Sequence, residues 1–317
     1  MAVLITGAYG LLGSWLAYYL AREGKRIIMF DVSQRRLDYL EEIEELLVPV
    51  RGSVLDWSNL LSTFLRFGKE IEGIIHTPAV MATPDYWENP YPSTILNIVG
   101  TLNILEMSRI FKVKKVVFIS SGAVYGEVEG KVSELNHPIK PSDLYGASKA
   151  SAEFLGFQYQ NHYGIDFRVV RPYFFFGPGR LPSELPPLFR TLFGCIEGLS
   201  NLKLEKGANQ SLGFTYVKDT AKGTVLVYKA ENLKHKVFNI AAEEAINFLR
   251  LVEIVKKYSS CSCKVDIGPG KLFPRGETLD ISLARQELGF RPEYTIEKAV
   301  SEYAQWIRKQ KKLCNSS

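Results

Sequence analysis

The chain has 317 residues, 46% of them hydrophobic and 23% charged, with a formal net charge of +5. That composition suits a globular protein, and the length allows one large domain or two modest ones. The charge is too small and too scattered for a nucleic-acid surface, and Lys112, Lys114, Lys115 and the basic C-terminal run read as solvated faces. No apolar run approaches bilayer length, and Met1 leads too quickly into glycine for a signal peptide. A cytoplasmic protein without membrane or nucleic-acid partners is therefore expected. Four cysteines, Cys195, Cys261, Cys263 and Cys314, lack the spacing of a metal site. Reduced thiols and no metal are expected from them.

Taken in order, short apolar runs at 2–6, 26–30, 47–50, 73–77, 116–120 and 167–170 alternate with helical patterns at 11–23, 34–44, 57–67, 91–111 and 144–163. Strand and helix in alternation predict an α/β protein with a doubly wound parallel sheet of the Rossmann type. After Arg171 a stretch rich in Pro, Gly and Phe runs to Pro187. Shorter elements follow: helices at 188–198, 218–229, 247–258, 282–288 and 296–309, and strands at 237–240 and 264–267. The expected organisation is a nucleotide-binding domain at 1–171 and a smaller mixed α/β substrate lobe at 172–317. Residues 214–242 are the segment able to return to the sheet.

Gly7, Gly10 and Gly13 sit between the first strand and the first helix. Glycine there lets the backbone approach a pyrophosphate, and the helix N-terminus offers unpaired N–H groups to it. Asp31 closes the second strand, roughly twenty residues past the glycines, where a carboxylate accepts ribose hydroxyls and repels a 2′-phosphate. The cofactor expected is NAD; Arg35 and Arg36 nearby weaken the case against NADP.

Tyr145 and Lys149 stand one helical turn apart on the same face. Tyrosine, with an ordinary pKa of about 10, is a poor base, and a neighbouring ammonium stabilises its phenolate. Tyr145 then exchanges a proton with a substrate hydroxyl as hydride leaves its carbon. Ser121 follows the fifth strand, at the sheet edge where open α/β folds bind ligands, and can orient the same oxygen. Ser121, Tyr145 and Lys149 are the catalytic candidates.

These motifs resemble the extended short-chain dehydrogenase/reductase family, which includes NAD-dependent sugar epimerases and dehydratases. The likeness runs from Thr6–Gly13 through Ser120–Gly126, Asn97–Thr101, Tyr145 and Lys149 to Phe214–Asp219, Phe238–Ile240, Arg275–Glu277 and Leu288–Pro292. It implies cofactor contacts from Gly7, Gly10, Leu11, Leu12, Gly13, Asp31, Ser53, Val54, Thr77, Pro78, Asn97, Tyr145, Lys149 and Pro172. It implies substrate contacts from Ser121, Tyr145, Phe174 and Arg275. The resemblance also implies a homodimer through the helices at 91–111 and 144–163.

Several positions depart from the family's pattern. Ser53 stands where many members carry the adenine-binding Asp, and Asp56 reads as a helix cap. Phe174 and Leu212 replace an Asn and an Arg that contact the substrate diphosphate in nucleotide-sugar enzymes. Gly122 and Ala123 replace the Asp-Glu pair of the 4,6-dehydratases, which argues against dehydration. His76 reads as a structural hydrogen-bonding group near the cofactor edge, and Arg180 and Arg190 as surface residues. The leading expectation is hydride transfer at a secondary hydroxyl of a sugar or nucleotide sugar, with NAD retained as in an epimerase. The rivals are a dehydrogenase or reductase of a small hydroxy or keto compound and a non-catalytic dinucleotide-binding protein. Substrate choice is expected to reside in loops at 81–92, 127–142 and 172–187.

Overall fold

A computed structural model describes residues 1–80, 88–259 and 262–315, with side chains as far as Lys311. Seven parallel strands form the central sheet in the order β10-β7-β5-β4-β1-β2-β3. They are β1 (Ala2–Thr6), β2 (Arg26–Asp31), β3 (Leu47–Arg51), β4 (Ile71–His76), β5 (Lys115–Ile119), β7 (Asp166–Pro172) and β10 (Val237–Ile240), with the two-residue β6 (Lys131–Val132) lying outside the sheet. Alternate residues supply two cores. Val3, Ile5, Ile27, Met29 and Val117 face one, while Leu4, Ile28, Ile74, Val116 and Phe118 face the other. Burial on both faces is why the inner strands read as continuous apolar runs.

Helices cover both faces: α1 (Leu11–Arg22), α2 (Trp57–Phe67), α3 (Pro90–Ile110), α4 (Leu144–Tyr163), α5 (Pro187–Glu197), α6 (Val217–Lys229), α7 (Phe248–Lys256), α8 (Ser282–Leu288) and α9 (Ile296–Asn315). Gly156 lets α4 lie against the sheet, since a Cβ there would stand 2.0 Å from Phe167 Cζ. At the sheet's outer edge β10 pairs in register with β7, from Val237 opposite Val169 to Ile240 opposite Pro172. Around this body lie short pairs in which only the strand at 264–267 was expected from the sequence pattern: β9 (Ser211–Leu212) with β11 (Ile246–Asn247), β8 (Leu202–Leu204) with β12 (Val265–Ile267), and β6 with β13 (Thr278–Leu279).

Two expectations are corrected. The helix expected at 34–44 is a 3₁₀ segment, Asp38–Leu46. Its N-cap Leu37 and its buried residues Leu40 and Ile43 recur every third position, a spacing that a three-residue turn satisfies. The cysteines are not all reduced: Cys195 at the end of α5 and Cys263 before β12 form a disulfide across 68 residues of chain. Cys261 lies outside the described residues, as do residues 81–87 of the first substrate loop.

Candidate active site

The carboxyl ends of the parallel strands β1, β2, β4 and β5 lie along one edge of the sheet. Gly7 holds φ +68°, and a Cβ on it would stand 2.5 Å from Thr77 Oγ1. Thr77 Oγ1 donates to the carbonyls of Thr6 (2.8 Å) and Gly7 (3.1 Å), which clamps the turn to β4 and brings Pro78 beside it. On Gly13 a Cβ would meet Gly7 O at 2.2 Å, so α1 needs glycine to sit this close to the turn. Among the described residues, the N-cap of α1, Gly10, makes no side-chain cap, and the first turn carries no acid. The first N–H groups of a helix without such a cap suit an anion.

Asp31 is half-buried and held by two backbone donors, Tyr9 N–H to Oδ2 (2.9 Å) and Ser33 N–H to Oδ1 (3.1 Å). A carboxylate accepts about four hydrogen bonds, so capacity remains for ribose hydroxyls. Arg35 and Arg36 are each committed to a carboxylate, Glu184 (2.7 Å) and Glu41 (2.8 Å) respectively. Ser53 is tied into the β3–α2 loop: its N–H donates to Asn59 Oδ1 and its Oγ accepts from Leu55 N–H. Val54 is buried against Gly100, and Asp56 caps α2 through Asn59 N–H. The turn, the uncapped helix and Asp31 fit a dinucleotide with its pyrophosphate over α1 and an adenosine ribose at β2.

Ser121 begins a short 3₁₀ turn after β5, where its Oγ accepts from Ala123 N–H (3.1 Å). Asp143 caps α4 by accepting from Gly146 N–H at 2.6 Å, which sets the helix two residues before Tyr145. The Tyr145 carbonyl accepts from Ser148 Oγ (2.8 Å), which in turn accepts from Asn97 Nδ2 (2.9 Å). Asn97 Oδ1 also takes the Val80 N–H, so it joins α3, α4 and the loop after β4. Tyr145 is half-buried and Lys149 almost wholly buried. The Lys149 ammonium lies 4.5 Å from the centre of the Phe118 ring. Burial pushes its pKa down to about 7, against a smaller upward pull from Glu153. The nearby His76 is fully buried with Nδ1 on Thr6 Oγ1 (2.7 Å), and burial pushes its pKa down to about 3, so the ring is neutral.

The substrate side differs from expectation in detail. Arg275 donates to Asp143 Oδ2, so it grips the cap of the helix that carries Tyr145. Phe174 adopts φ +33°, unusual for so bulky a residue. Its ring is half-buried among Tyr173, Phe189, Phe214 and Phe273, at centroid distances of 4.7 to 6.3 Å. Tyr173 packs on Gly122, beside Ser121. Leu212 is fully buried in β9. Pro172 ends β7 opposite Ile240.

A family model described as the NAD dependent epimerase/dehydratase family matches residues 3–241. The chain belongs to that family. Among its relatives, a UDP-glucuronate 4-epimerase of Thermodesulfobacterium geofontis is 28% identical, covering 99% of this chain and 98% of the relative. A putative UDP-glucose 4-epimerase of Methanocaldococcus jannaschii is 29% identical over 96% of this chain and 98% of its own. Among solved structures, the UDP-glucuronic acid 4-epimerase of Bacillus cereus, solved with NAD, superposes with a TM-score of 0.81 at 25% identity, covering 98% and 99%. Members of this family are NAD-dependent enzymes, and the cofactor fits the cradle already described.

Sequence reasoning passed over Asp143, Glu153 and Arg171. Glu153 carried a usable signal: it falls one turn beyond Lys149 on the same face.

Proposed function

We propose that this chain is an NAD-retaining epimerase that acts at a secondary hydroxyl of a sugar, carried as a nucleotide sugar. The reading is carried by one observation: Ser121 at the end of β5 and the Tyr145–Lys149 pair on α4 meet at the same sheet edge as the glycine turn and Asp31. NAD, when bound, supplies a reversible hydride acceptor. Ser121 holds the substrate oxygen, Tyr145 takes its proton and later returns it, and the Lys149 ammonium stabilises the phenolate between those events. Asn97 and Ser148 fix the backbone at Tyr145. Leu11, Leu12 and Gly13 receive the pyrophosphate, Asp31 the adenosine ribose, Ser53 and Val54 the adenine side, and Thr77, Pro78 and Pro172 border the cofactor. Phe174 borders the substrate. Arg275, with one nitrogen on Asp143, borders the substrate beside the cap of α4.

The 4-epimerase names of the full-length relatives support this substrate class. The chain divides into a cofactor domain at 1–171, joined by 214–242, and a substrate lobe from the remainder of 172–317. A homodimer through α3 and α4 accounts for Phe154 and Tyr163, which are 57% and 56% exposed on α4. A cytoplasmic site suits an enzyme that draws on NAD.

A second reading has its own support. Phe174 and the fully buried Leu212 offer no polar group to a diphosphate, which favours a dehydrogenase or reductase of a smaller compound. Incubation with NAD and UDP-glucose or UDP-glucuronate separates the two. Epimer appearing without net NADH supports the first reading, and stoichiometric NADH from a simple hydroxy compound supports the second.

A further inference from the structure

Glu153 takes no part in the proton transfer above, yet it touches the elements that build the site. It is fully buried. Its Oε1 accepts from Ser120 Oγ and from Arg171 Nε at 3.0 Å, and its Oε2 accepts from Arg171 Nη2 at 2.5 Å. Ser120 directly precedes Ser121. Arg171 directly precedes Pro172 and Tyr173, and its other nitrogen donates to Tyr125 Oη at 2.9 Å. On α4, Glu153 shares a face with Lys149.

The titratable groups facing Lys149 can be named by element. Tyr145 and Glu153 lie on its own helix. His76, at the end of β4, is neutral. Phe118 of β5 offers only its ring. Arg171, at the end of β7, is engaged by Glu153 itself. Burial works against the Lys149 charge, and Glu153 is the acid that works for it. A buried ion pair contributes little net stability compared with apolar residues of similar size. Stability alone therefore gives no account of a carboxylate at this point.

We propose that Glu153 is the positioning residue of this site: it keeps Lys149 an ammonium and, through Ser120 and Arg171, registers Ser121 and Tyr173 against α4. The proposal rests on the reading that the Lys149 ammonium serves Tyr145.

The test follows the Lys149 side-chain resonance in the full-length chain labelled with ¹³C-lysine, assigned by its loss in Lys149→Arg, as pH is raised. Removing the Glu153 charge disfavours the ammonium. In Glu153→Gln the midpoint falls by about 1 to 3 pH units, the usual effect of a close opposite charge. The alkaline limb of the kcat profile moves down with it. Glu153→Gln leaves Arg171 buried without its partner, and that can prevent folding. The double variant Glu153→Gln/Arg171→Met removes both charges and keeps the packing volume, and it is expected to show a smaller displacement in the same direction, because a like charge is lost with the opposite one. An unchanged Lys149 midpoint in the double variant overturns the proposal. So does a double variant with the wild-type kcat profile, because Glu153 is then no more than the counter-ion of Arg171. Failure of the underlying reading has a separate signature: undiminished kcat in Lys149→Met, whatever the titration shows.

Discussion

Replacing Asp143 separates the cap of the catalytic helix from the bridge to Arg275. Its Oδ1 accepts the Gly146 N–H and its Oδ2 takes the Arg275 guanidinium. Loss of an N-cap costs about 1 kcal/mol. The ion pair is mostly out of water, with its side chains 16% and 14% exposed. Breaking a fully buried pair costs about 3 to 5 kcal/mol and an exposed one under about 1, so about 2 kcal/mol suits this one. Asp143→Ala should then lose about 3 kcal/mol, roughly a hundredfold in the folding constant. Asp143→Asn keeps a capping oxygen and should lose about 2 kcal/mol. Urea unfolding at neutral pH measures both. Tyr145 sits two residues inside this helix end, and a displacement of about 1 Å there costs on the order of a hundredfold in rate. Asp143→Ala should therefore lower kcat more than Asp143→Asn. If both variants unfold within about 0.5 kcal/mol of wild type, neither the cap nor the bridge holds the helix as argued.

Other consequences concern charge and covalent bonds. Lys149 has a folded pKa of about 7 against an ordinary 10.5. The unfolded chain thus binds more protons between those values, and wild-type stability should rise as pH climbs from 7 to 10.5. Lys149→Met should flatten that slope and raise stability at neutral pH while abolishing turnover, and a slope unchanged in urea titrations at several pH values would refute the assignment. His76 is lowered from 6.5 to about 3, so the stability linked to it is complete above pH 6.5 and lost as pH falls toward 3. His76→Leu should melt with a weaker acid dependence over that window, a result seen by calorimetry at matched pH. Reducing Cys195–Cys263 opens a loop spanning 68 residues and should cost about 4 kcal/mol; a melting temperature insensitive to reductant would show that the bond contributes nothing.

The sheet was legible because its strands are buried on both faces and separated by helical periods, so type and order survive even where ends shift by a residue or two. The cofactor edge was legible for a similar reason: Gly7, Gly13 and Asp31 are dictated by backbone approach and by ribose chemistry. The 3₁₀ segment was missed because apolar residues three apart fit two helical periods about equally well over so short a span. The two-residue strands beyond Arg171 have no period to read. The Cys195–Cys263 bond depends on proximity across 68 residues of chain, which spacing does not reveal. Arg275 was assigned to substrate by likeness, while its partner Asp143 is visible only once the loop folds over α4.

The most direct test of the account is Tyr145→Phe, assayed with NAD and UDP-glucuronate or UDP-glucose by resolving the C4 epimers. The wild-type chain should interconvert the epimers without net NADH, and the variant should lose that activity by several orders of magnitude while still binding NAD and melting as wild type does. Epimerisation at the wild-type rate in Tyr145→Phe would contradict the account.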